Sequence, residues 1–324
     1  MGSIWSQSVL IPAPALTVAK LPDQFGKVVV VTGGYSGIGS ELAEMLYSRN
    51  ATVFIAGRDV QQAKKCMQGI QTKHASSSGR LEYLHLDLAD MVSIRRAGED
   101  FLARSDRLDV LVNNAGVMTP AVGSKTAQGY ELQLGVNCLG PHLFTQLVMP
   151  RLLQTAETAP AGSVRVLWAG SVAVELAPRA GMSWTEGVDA APVTSSDQAS
   201  NYSISKTGNV LLAMETARRY GKRGIISVAY NPGNLRTGLQ RHMAWWQYMV
   251  ARMVLYSPHL GACTVLFAGW SDAVTFALNG AYVWPWGRVG SLRKDILQAT
   301  QPIDCGGCAV GERFWLWCER VTQA

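Results

Sequence analysis

The sequence predicts an α/β domain built on a doubly wound parallel sheet. Short apolar segments alternate with segments of helical spacing along most of the chain, as in a sheet whose helices cover both faces. The apolar segments lack polar alternation, which is typical of strands buried on both faces. Glycines and polar residues follow several of them directly. Because ligands of such sheets bind beyond the carboxyl ends of the strands, these residues are the candidate functional groups.

Six strands and five helices account for the alternation. The first strand reads KVVVVT, a β-branched run, and the helix after it carries Leu42, Met45 and Leu46 on one side. The later segments repeat this order of a short apolar strand and a helical stretch. The predicted strands are Lys27–Thr32, Thr52–Ala56, Leu81–Leu86, Asp109–Val112, Val164–Ala169 and Ile225–Tyr230. The predicted helices are Ser40–Arg49, Gln61–Lys73, Val92–Ala103, Gly129–Leu153 and Asn201–Tyr220.

The length of 324 residues fits a single domain with additions at both ends. We expect a lead-in over residues 1–26, the sheet domain over residues 27–284 and a tail over residues 285–324. A lid insertion is expected after the sixth strand, at about residues 235–256.

Composition excludes several classes of protein. Hydrophobic residues make up 48% of the chain and charged residues 16%, which supplies one large core and excludes a disordered protein. The net charge of +6 is spread along the sequence, so it favours an anionic cofactor or substrate over nucleic acid. No apolar run is long enough to span a membrane and no signal peptide is evident, so we expect a cytoplasmic protein without membrane attachment.

Cysteines and the first residues give weaker signals. Cys305 and Cys308 form a C-x-x-C pair, but no second pair has matching spacing, so no metal site is expected. The start Met1-Gly2-Ser3-Ile4-Trp5-Ser6 matches the myristoylation pattern, yet no polybasic second signal follows it.

A glycine-rich turn follows the first strand and indicates a nucleotide site. The glycines of Thr32-Gly33-Gly34-Tyr35-Ser36-Gly37-Ile38-Gly39 have the spacing G-x-x-x-G-x-G. Glycine lets the backbone turn sharply and approach a pyrophosphate closely, and the next helix offers unpaired N–H groups. Its position between a buried strand and a helix therefore predicts a dinucleotide-binding, Rossmann-like fold.

The end of the second strand favours NADP(H) over NAD(H). An NAD site places an acidic residue here to bind the ribose 2′-hydroxyl. Gly57 stands at that position and Arg58 follows, and a guanidinium suits a 2′-phosphate in charge and geometry. Asp59 leaves the alternative open, because a shift of two positions would restore an acid.

Tyr202 and Lys206 are the candidate proton-transfer pair. They lie four residues apart on one face of a predicted helix, where an ammonium group would lower the pKa of the phenol. Ser171 lies beyond the fifth strand and could hold a carbonyl oxygen. Asn137 is an amide among apolar helix residues and needs a specific partner. An exposed helix face would be the better explanation of an isolated tyrosine and lysine, but Ser171 and the segment Asn113-Asn114-Ala115-Gly116 lie directly beyond the carboxyl ends of strands.

Together these motifs resemble the short-chain dehydrogenase/reductase family. The likeness covers about Lys27 to Trp284 and includes TGxxxGxG, Asn113-Asn114-Ala115-Gly116, the strand-end Ser171, YxxxK and Pro232-Gly233, in the family's order. The lead-in and tail resemble filamentous-fungal members of secondary-metabolite pathways.

The resemblance implies a role for each matching residue. Tyr202 would exchange a proton with the substrate oxygen, which Ser171 would hold; Lys206 would tune Tyr202 and bind the nicotinamide ribose; Asn137 would anchor a water in the proton relay. The cofactor would also contact Gly33, Ser36, Gly37, Ile38, Gly39, Arg58, Asp87, Asn114, Gly233, Leu235 and Thr237. A homo-oligomer is expected from the resemblance alone.

Two features depart from the common pattern. The segment between Ser171 and Tyr202 is longer than in many members, and Ser36 replaces the arginine or lysine of some NADP-preferring ones. The aromatic stretch Gln240–Tyr256 could be a substrate lid for a bulky apolar substrate, or a helix packed on the core or on a partner. A third interpretation is attachment to a membrane surface, aided by Arg241 and Arg252.

The sequence therefore predicts an NADP(H)-dependent oxidoreductase that interconverts a ketone and a secondary alcohol on a bulky, mostly apolar metabolite, in a secondary-metabolite pathway. Two alternatives are an enzyme of the same fold that catalyses isomerisation or cyclisation without net redox change, and a non-catalytic NADP-binding protein.

Overall fold

Eight strands form one sheet in the order β3-β2-β1-β4-β5-β6-β7-β8. The computed structural model describes residues 2–9, 11–236, 255–301 and 306–323. The first seven strands are parallel, and β8 pairs with β7 in antiparallel orientation. The strands are Val28–Thr32 (β1), Thr52–Gly57 (β2), Arg80–His85 (β3), Val110–Asn113 (β4), Val164–Ala169 (β5), Ile225–Tyr230 (β6), Tyr282–Trp284 (β7) and Arg288–Gly290 (β8).

This sheet confirms the prediction of a doubly wound parallel fold. The strands β1 to β6 agree with the six predicted strands to within one residue at each end. The chain adds β2 and β3 on one side of β1 and then crosses to place β4 on the other. The reversal opens a crevice beyond the carboxyl ends of β1 and β4, where ligands of such sheets bind.

Helices cover both faces of the sheet. The helices α2, α3 and α7 pack with one apolar cluster, and α4, α5, α6 and α9 pack with the other. They are Gly2–Ser8 (α1), Gly37–Tyr47 (α2), Val60–Lys73 (α3), Met91–Arg104 (α4), Gly140–Thr158 (α5), Gln198–Tyr220 (α6), Pro258–Trp270 (α7), Lys294–Thr300 (α8) and Val310–Thr322 (α9). Among the described residues, no helix is long and apolar enough to cross a membrane.

Both ends of the chain pack onto this sheet domain. Helix α1 contacts the 3-10 helix Val172–Leu176, which directly follows Ser171. The expected tail contributes β8 to the sheet and the helices α8 and α9 to the packing around α6. The division of the chain at residues 26 and 284 stays a prediction.

Helix α9 buries a large aromatic side chain against α5 and α6. Trp315 has no exposed surface, and its indole Nε1 donates a hydrogen bond of 2.6 Å to Glu319. The ring lies edge-on to His142, at 4.7 Å between centroids, and the Arg219 guanidinium lies 4.8 Å from its centre. Burial lowers the pKa of His142 to about 3, so it is neutral. Neither ring nitrogen has a hydrogen-bond partner in the described part of the chain, so His142 is a core residue.

We expect Trp315→Ala to lower the free energy of unfolding by about 3–5 kcal/mol, because it leaves a cavity under α9. Leu316→Ala is the matched control in the same helix, since that side chain is 50% exposed. Denaturant unfolding measures both. Equal losses for the two variants would contradict the packing of α9 described above.

Candidate active site

The turn after β1 requires glycine at two positions. Gly33 has φ +64°, and a Cβ on Gly39 would lie only 2.3 Å from the Gly33 carbonyl oxygen. Helix α2 therefore begins against the turn, and Ser36, its N-cap residue, makes no side-chain capping hydrogen bond among the described residues. The first N–H groups of α2 point out of the turn and can hold a pyrophosphate.

Thr32 fixes this turn to the end of β4. Its hydroxyl accepts hydrogen bonds from the backbone N–H groups of Asn114 and Ala115, at 3.0 and 2.9 Å. The Asn114 amide donates back to the Thr32 carbonyl at 2.9 Å. The carboxyl ends of β1 and β4 are thus held together on both sides of the crevice.

At the end of β2, Tyr35 covers Gly57. A Cβ on Gly57 would lie 2.3 Å from Cε1 of that ring, so a side chain there would have to displace the ring. Asp59 caps α3 instead, accepting from the N–H groups of Gln61 and Gln62. These hydrogen bonds, the one from the Gln62 backbone first, lower the pKa of Asp59. Arg58 between them is exposed.

Asp87 follows β3, and its carboxylate accepts a hydrogen bond of 2.9 Å from the N–H of Ala89. Because β3, β2 and β1 are parallel, Asp87 lies at the same edge of the sheet as the glycine-rich turn, on the β3 side.

Asn137 has the specific partners that its surroundings require. It lies in a π-helical turn, Gly135–Leu139, that precedes α5. Its amide accepts from the N–H of Val117 at 2.8 Å and donates to the carbonyl of Val117 at 3.0 Å. The same amide donates to the Ser205 hydroxyl at 2.9 Å. Asn137 thus holds the loop after β4 against α6.

Lys206 is buried at the end of β5. Its Nζ donates a hydrogen bond of 3.0 Å to the carbonyl of Ala169, which also accepts from Asn209 at 2.9 Å. A Cβ on Gly116 would lie 3.0 Å from the Asn137 amide oxygen and 3.3 Å from Lys206 Nζ, so these groups converge. Burial lowers the pKa of Lys206 to about 8.

Ser171 and Tyr202 face each other through their hydroxyl groups. Ser171 caps the 3-10 helix Val172–Leu176, accepting from the N–H of Ala173 at 3.2 Å, and its hydroxyl lies near enough to the Tyr202 side chain to act on the pKa of that phenol. Helix α6 carries Tyr202 one turn before Lys206, whose Nζ lies 5.6 Å from the centre of the Tyr202 ring. The spacing YxxxK therefore does place both groups on the inward face.

Burial raises the pKa of Tyr202 to about 12, and the hydrogen bond from Ser171 opposes this only in part. The direction is opposite to the expected lowering by Lys206. The cause is burial, which disfavours the phenolate, while Nζ of Lys206 is bound to the Ala169 carbonyl and lies 5.6 Å from the centre of the Tyr202 ring.

The loop after β6 closes the same edge. The Asn231 side chain accepts from the N–H of Gly233, which has φ +89°. Leu235 is buried against α7, where a Cβ on Gly261 would meet both Leu235 and Ile38. Leu235 also forms a bridge with Tyr256, so the two ends of the expected lid meet. Thr237 and most of that lid lie outside the described residues.

Several contributors were not predicted. Tyr282 on β7 donates a hydrogen bond of 2.7 Å to the Ser171 carbonyl, and Asn209 shares the carbonyl that binds Lys206. The segment before α6 is held by Arg293, which donates to the carbonyls of Glu175 and Ala177. Spacing carries no signal for these contacts, except that Asn209 lies one turn beyond Lys206 on the predicted helix.

The crevice fits a dinucleotide. The turn at Gly33 and Gly39 leaves no side chain between the backbone and a pyrophosphate, and α2 presents its amino end there. The hydroxyls of Ser171 and Tyr202 lie at the end of β5 on the same edge. Within the described ranges, no group of three or more histidine, cysteine or acidic side chains could hold a metal ion.

Known proteins agree with this geometry. The family described as short chain dehydrogenase matches residues 27–174. A short-chain dehydrogenase/reductase of Phomopsis amygdali is 45% identical over 100% of this chain and 97% of its own length. The short-chain dehydrogenase/reductase pkfC of Emericella nidulans is 41% identical over 96% of this chain and 97% of its own.

Solved structures share the fold. An uncharacterized protein from Mycobacterium paratuberculosis superposes with a TM-score of 0.67 at 26% identity, covering 95% of this chain and 98% of its own. An NADPH-bound carbonyl reductase from chicken fatty liver gives a TM-score of 0.60 at 22% identity, covering 83% and 99%. With the full-length relatives, these likenesses confirm the resemblance drawn from the motifs: the chain belongs to the short-chain dehydrogenase/reductase family and is an NAD(P)-dependent oxidoreductase.

Proposed function

We propose that the protein uses NADP(H) to interconvert a ketone and a secondary alcohol on a bulky, mostly apolar metabolite. The observation that carries the proposal is the pair of hydroxyls of Ser171 and Tyr202 at the carboxyl end of β5, one helical turn from the buried Lys206. Such a pair would bring a proton donor and a second hydroxyl within reach of one oxygen atom.

The proposed chemistry divides between the bound dinucleotide and the chain. When bound, a reduced nicotinamide would supply the hydride for the carbonyl carbon. Tyr202 then gives its proton to the carbonyl oxygen, which Ser171 holds by a hydrogen bond. A pKa of about 12 keeps the phenol protonated at neutral pH, as ketone reduction requires. In the reverse direction Tyr202 would accept the proton of the alcohol, and Ser171 is the neighbour that favours the phenolate.

The other site residues position these groups in the proposal. Asn137 supports the loop at Val117 and anchors α6 through Ser205, next to the place where a relay water would bind. The glycine-rich turn Gly33 to Gly39 and Asn114 would hold the pyrophosphate and adenosine, with Asp87 near the adenine. Gly233, Leu235 and Thr237 would close over the nicotinamide.

NADP(H) is favoured by the surroundings of Arg58. The position that an NAD-binding acid would occupy is Gly57, and Tyr35 fills the space beside it. Asp59, the acid two positions on, is engaged in capping α3. An exposed guanidinium is therefore left next to the ribose site, where it suits a 2′-phosphate. The NADPH bound to the chicken carbonyl reductase accords with this choice.

The proposed substrate class rests on the aromatic composition of residues 240–256. The proposed secondary-metabolite pathway rests on the resemblance of the lead-in and the tail to filamentous-fungal members of the family. A homo-oligomer stays a prediction. The crevice residues supply proton transfer and a dinucleotide turn together, which favours redox chemistry over isomerisation or plain nucleotide binding.

We expect Tyr202→Phe to abolish NADPH oxidation across a panel of ketones while NADPH binding is retained, because only the phenolic proton is removed. Absorbance of NADPH and nucleotide titration measure the two properties. Full turnover in the variant would remove Tyr202 as the acid. Product formed by the wild-type protein with unchanged NADPH absorbance would instead indicate non-redox catalysis.

We expect Arg58→Ala to weaken NADPH binding about tenfold or more and NADH binding much less, since a charge-assisted contact to the 2′-phosphate is lost. Arg80→Ala makes the same charge change at an exposed position at the amino end of β3 and serves as control. The measurement is the dissociation constants of NADPH and NADH for the wild-type protein and for both variants. Equal weakening for NADPH and NADH would remove the basis for the NADP(H) preference.

The buried Lys206 gives a pH-dependent stability prediction. Its pKa of about 8, below the ordinary 10.5, means that folding buries an unfavourable charge at neutral pH. This cost to the stability of the fold is greatest below about pH 8, where both the folded and the unfolded chain carry the proton. It declines between about pH 8 and 10.5, because the folded protein loses its proton first, and it is absent above 10.5.

We therefore expect Lys206→Met to raise the thermal midpoint of the protein at pH 7, measured without nucleotide, and to abolish turnover. The difference from wild type should shrink between pH 8 and 10.5. Lys222→Met, at an exposed position, should change neither property. A lower midpoint for Lys206→Met at pH 7 would show that the ammonium stabilises the fold.

A further inference from the structure

Helix α1 docks on the carboxyl edge of the sheet, beside the candidate active site. It contacts the 3-10 helix Val172–Leu176, which begins directly after Ser171 at the end of β5. It also reaches Asn231, which follows the end of β6. The helix thus spans the ends of two neighbouring strands, on the side of Ser171 that faces away from the glycine-rich turn of β1.

Gln7 is the buried centre of this docking. Its side chain has no exposed surface. The amide oxygen accepts a hydrogen bond of 2.8 Å from the Asn231 side chain, and the amide nitrogen donates to the Glu175 carboxylate at 3.4 Å. One side chain therefore joins the segment after β5 to the segment after β6.

Two further polar contacts hold the same face of α1. The Ser3 hydroxyl, one turn before Gln7, donates to the other oxygen of Glu175 at 3.1 Å. Arg288 donates to the Ser6 hydroxyl at 3.1 Å and to the Ser6 carbonyl at 2.6 Å. Trp5 lies on the opposite face and is 64% exposed. Because α1 is only seven residues long, it depends on these contacts for its helical form.

We propose that Gln7 is a positioning residue of the active site, which fixes Ser171 relative to the loop at Gly233. The proposal rests on the proposed function, because it assigns the positioned groups to the substrate oxygen and the nicotinamide end. Gln7 touches neither substrate nor cofactor and acts through Glu175 and Asn231.

Both ends of this link lead directly to site residues. Glu175 lies in the 3-10 helix that the Ser171 hydroxyl caps. The Asn231 side chain, which donates to Gln7, accepts from the N–H of Gly233 with its oxygen. Tyr282 donates a hydrogen bond to the Ser171 carbonyl, and Gln7 adds a second restraint on the same segment through Glu175. A small displacement of Ser171 matters, because a shift of about 1 Å at a reacting group can lower the rate on the order of 10²-fold.

In a Gln7→Leu variant, loss of the amide leaves the buried Asn231 side chain without an acceptor and removes one of the donors to the Glu175 carboxylate. Unpaired buried polar groups are costly, so both segments should shift to reach water or another partner. The sheet and its glycine-rich turn are not touched by this change, so the pyrophosphate site should be kept.

The test compares Gln7→Leu with Gln71→Leu, which makes the same chemical change at an exposed position on α3. We expect Gln7→Leu to lower kcat for ketone reduction about tenfold or more, while the dissociation constant for NADPH changes less than about twofold. Gln71→Leu should retain both values. Wild-type kcat and KM in Gln7→Leu would overturn the proposal, and so would parallel losses of NADPH binding and of the thermal midpoint.

Exchanging the amide and the carboxylate between positions 7 and 175 should restore the contact. Gln7→Glu places two carboxylates against each other and should lower kcat. The double variant Gln7→Glu with Glu175→Gln restores a donor and acceptor pair and should recover most of the wild-type kcat. A double variant as slow as Gln7→Glu alone would contradict a specific link between positions 7 and 175.

Amide hydrogen exchange separates this proposal from the proposed function, because it needs no turnover. We expect faster exchange over residues 171–176 and 231–235 in Gln7→Leu and no change there in Gln71→Leu. Unchanged exchange in Gln7→Leu would overturn the link even if the enzyme is active. Faster exchange in a protein that reduces no ketone would leave the link standing and overturn the proposed function.

Discussion

A buried ammonium group determines how the site is assembled. Lys206 is enclosed at the carboxyl end of β5, where its Nζ is hydrogen-bonded to the Ala169 carbonyl. Asn209 donates to the same oxygen, so two side chains one turn apart fix α6 to this strand. The position of Tyr202 beside Ser171 follows from that attachment. A charge that is unfavourable to bury is thus tolerated where it orders the groups around it.

Further hydrogen bonds join the segments around Lys206 to one another. Asn137 joins α6 to the loop after β4 through Val117 and Ser205, and Thr32 joins that loop to the glycine-rich turn. Tyr282 and Gln7 hold the segment after β5 from two sides. Almost every one of these hydrogen bonds joins a backbone group or a side chain that has a second partner. The crevice is therefore lined by a connected network of polar groups.

Sequence patterns predicted the parts of this arrangement that depend on local chemistry. The six long strands, the glycine-rich turn and the YxxxK face follow from periodicity, steric demand and helical spacing. Strands β7 and β8 have three residues each, too few to show a period, so Tyr282 could not be placed. The contact of Gln7 with Glu175 joins positions 168 residues apart, and no spacing rule reaches that far. The raised pKa of Tyr202 depends on burial, which a motif does not contain.

The ring of Tyr35 against Gly57 has a consequence for redesign of the nucleotide preference. An acidic side chain introduced at position 57 alone would displace that ring from the end of β2. The two positions therefore form one steric unit, although 22 residues separate them in the chain. A conversion between the two nicotinamide coenzymes in this scaffold therefore has to accommodate the ring of Tyr35 as well as the new side chain at position 57.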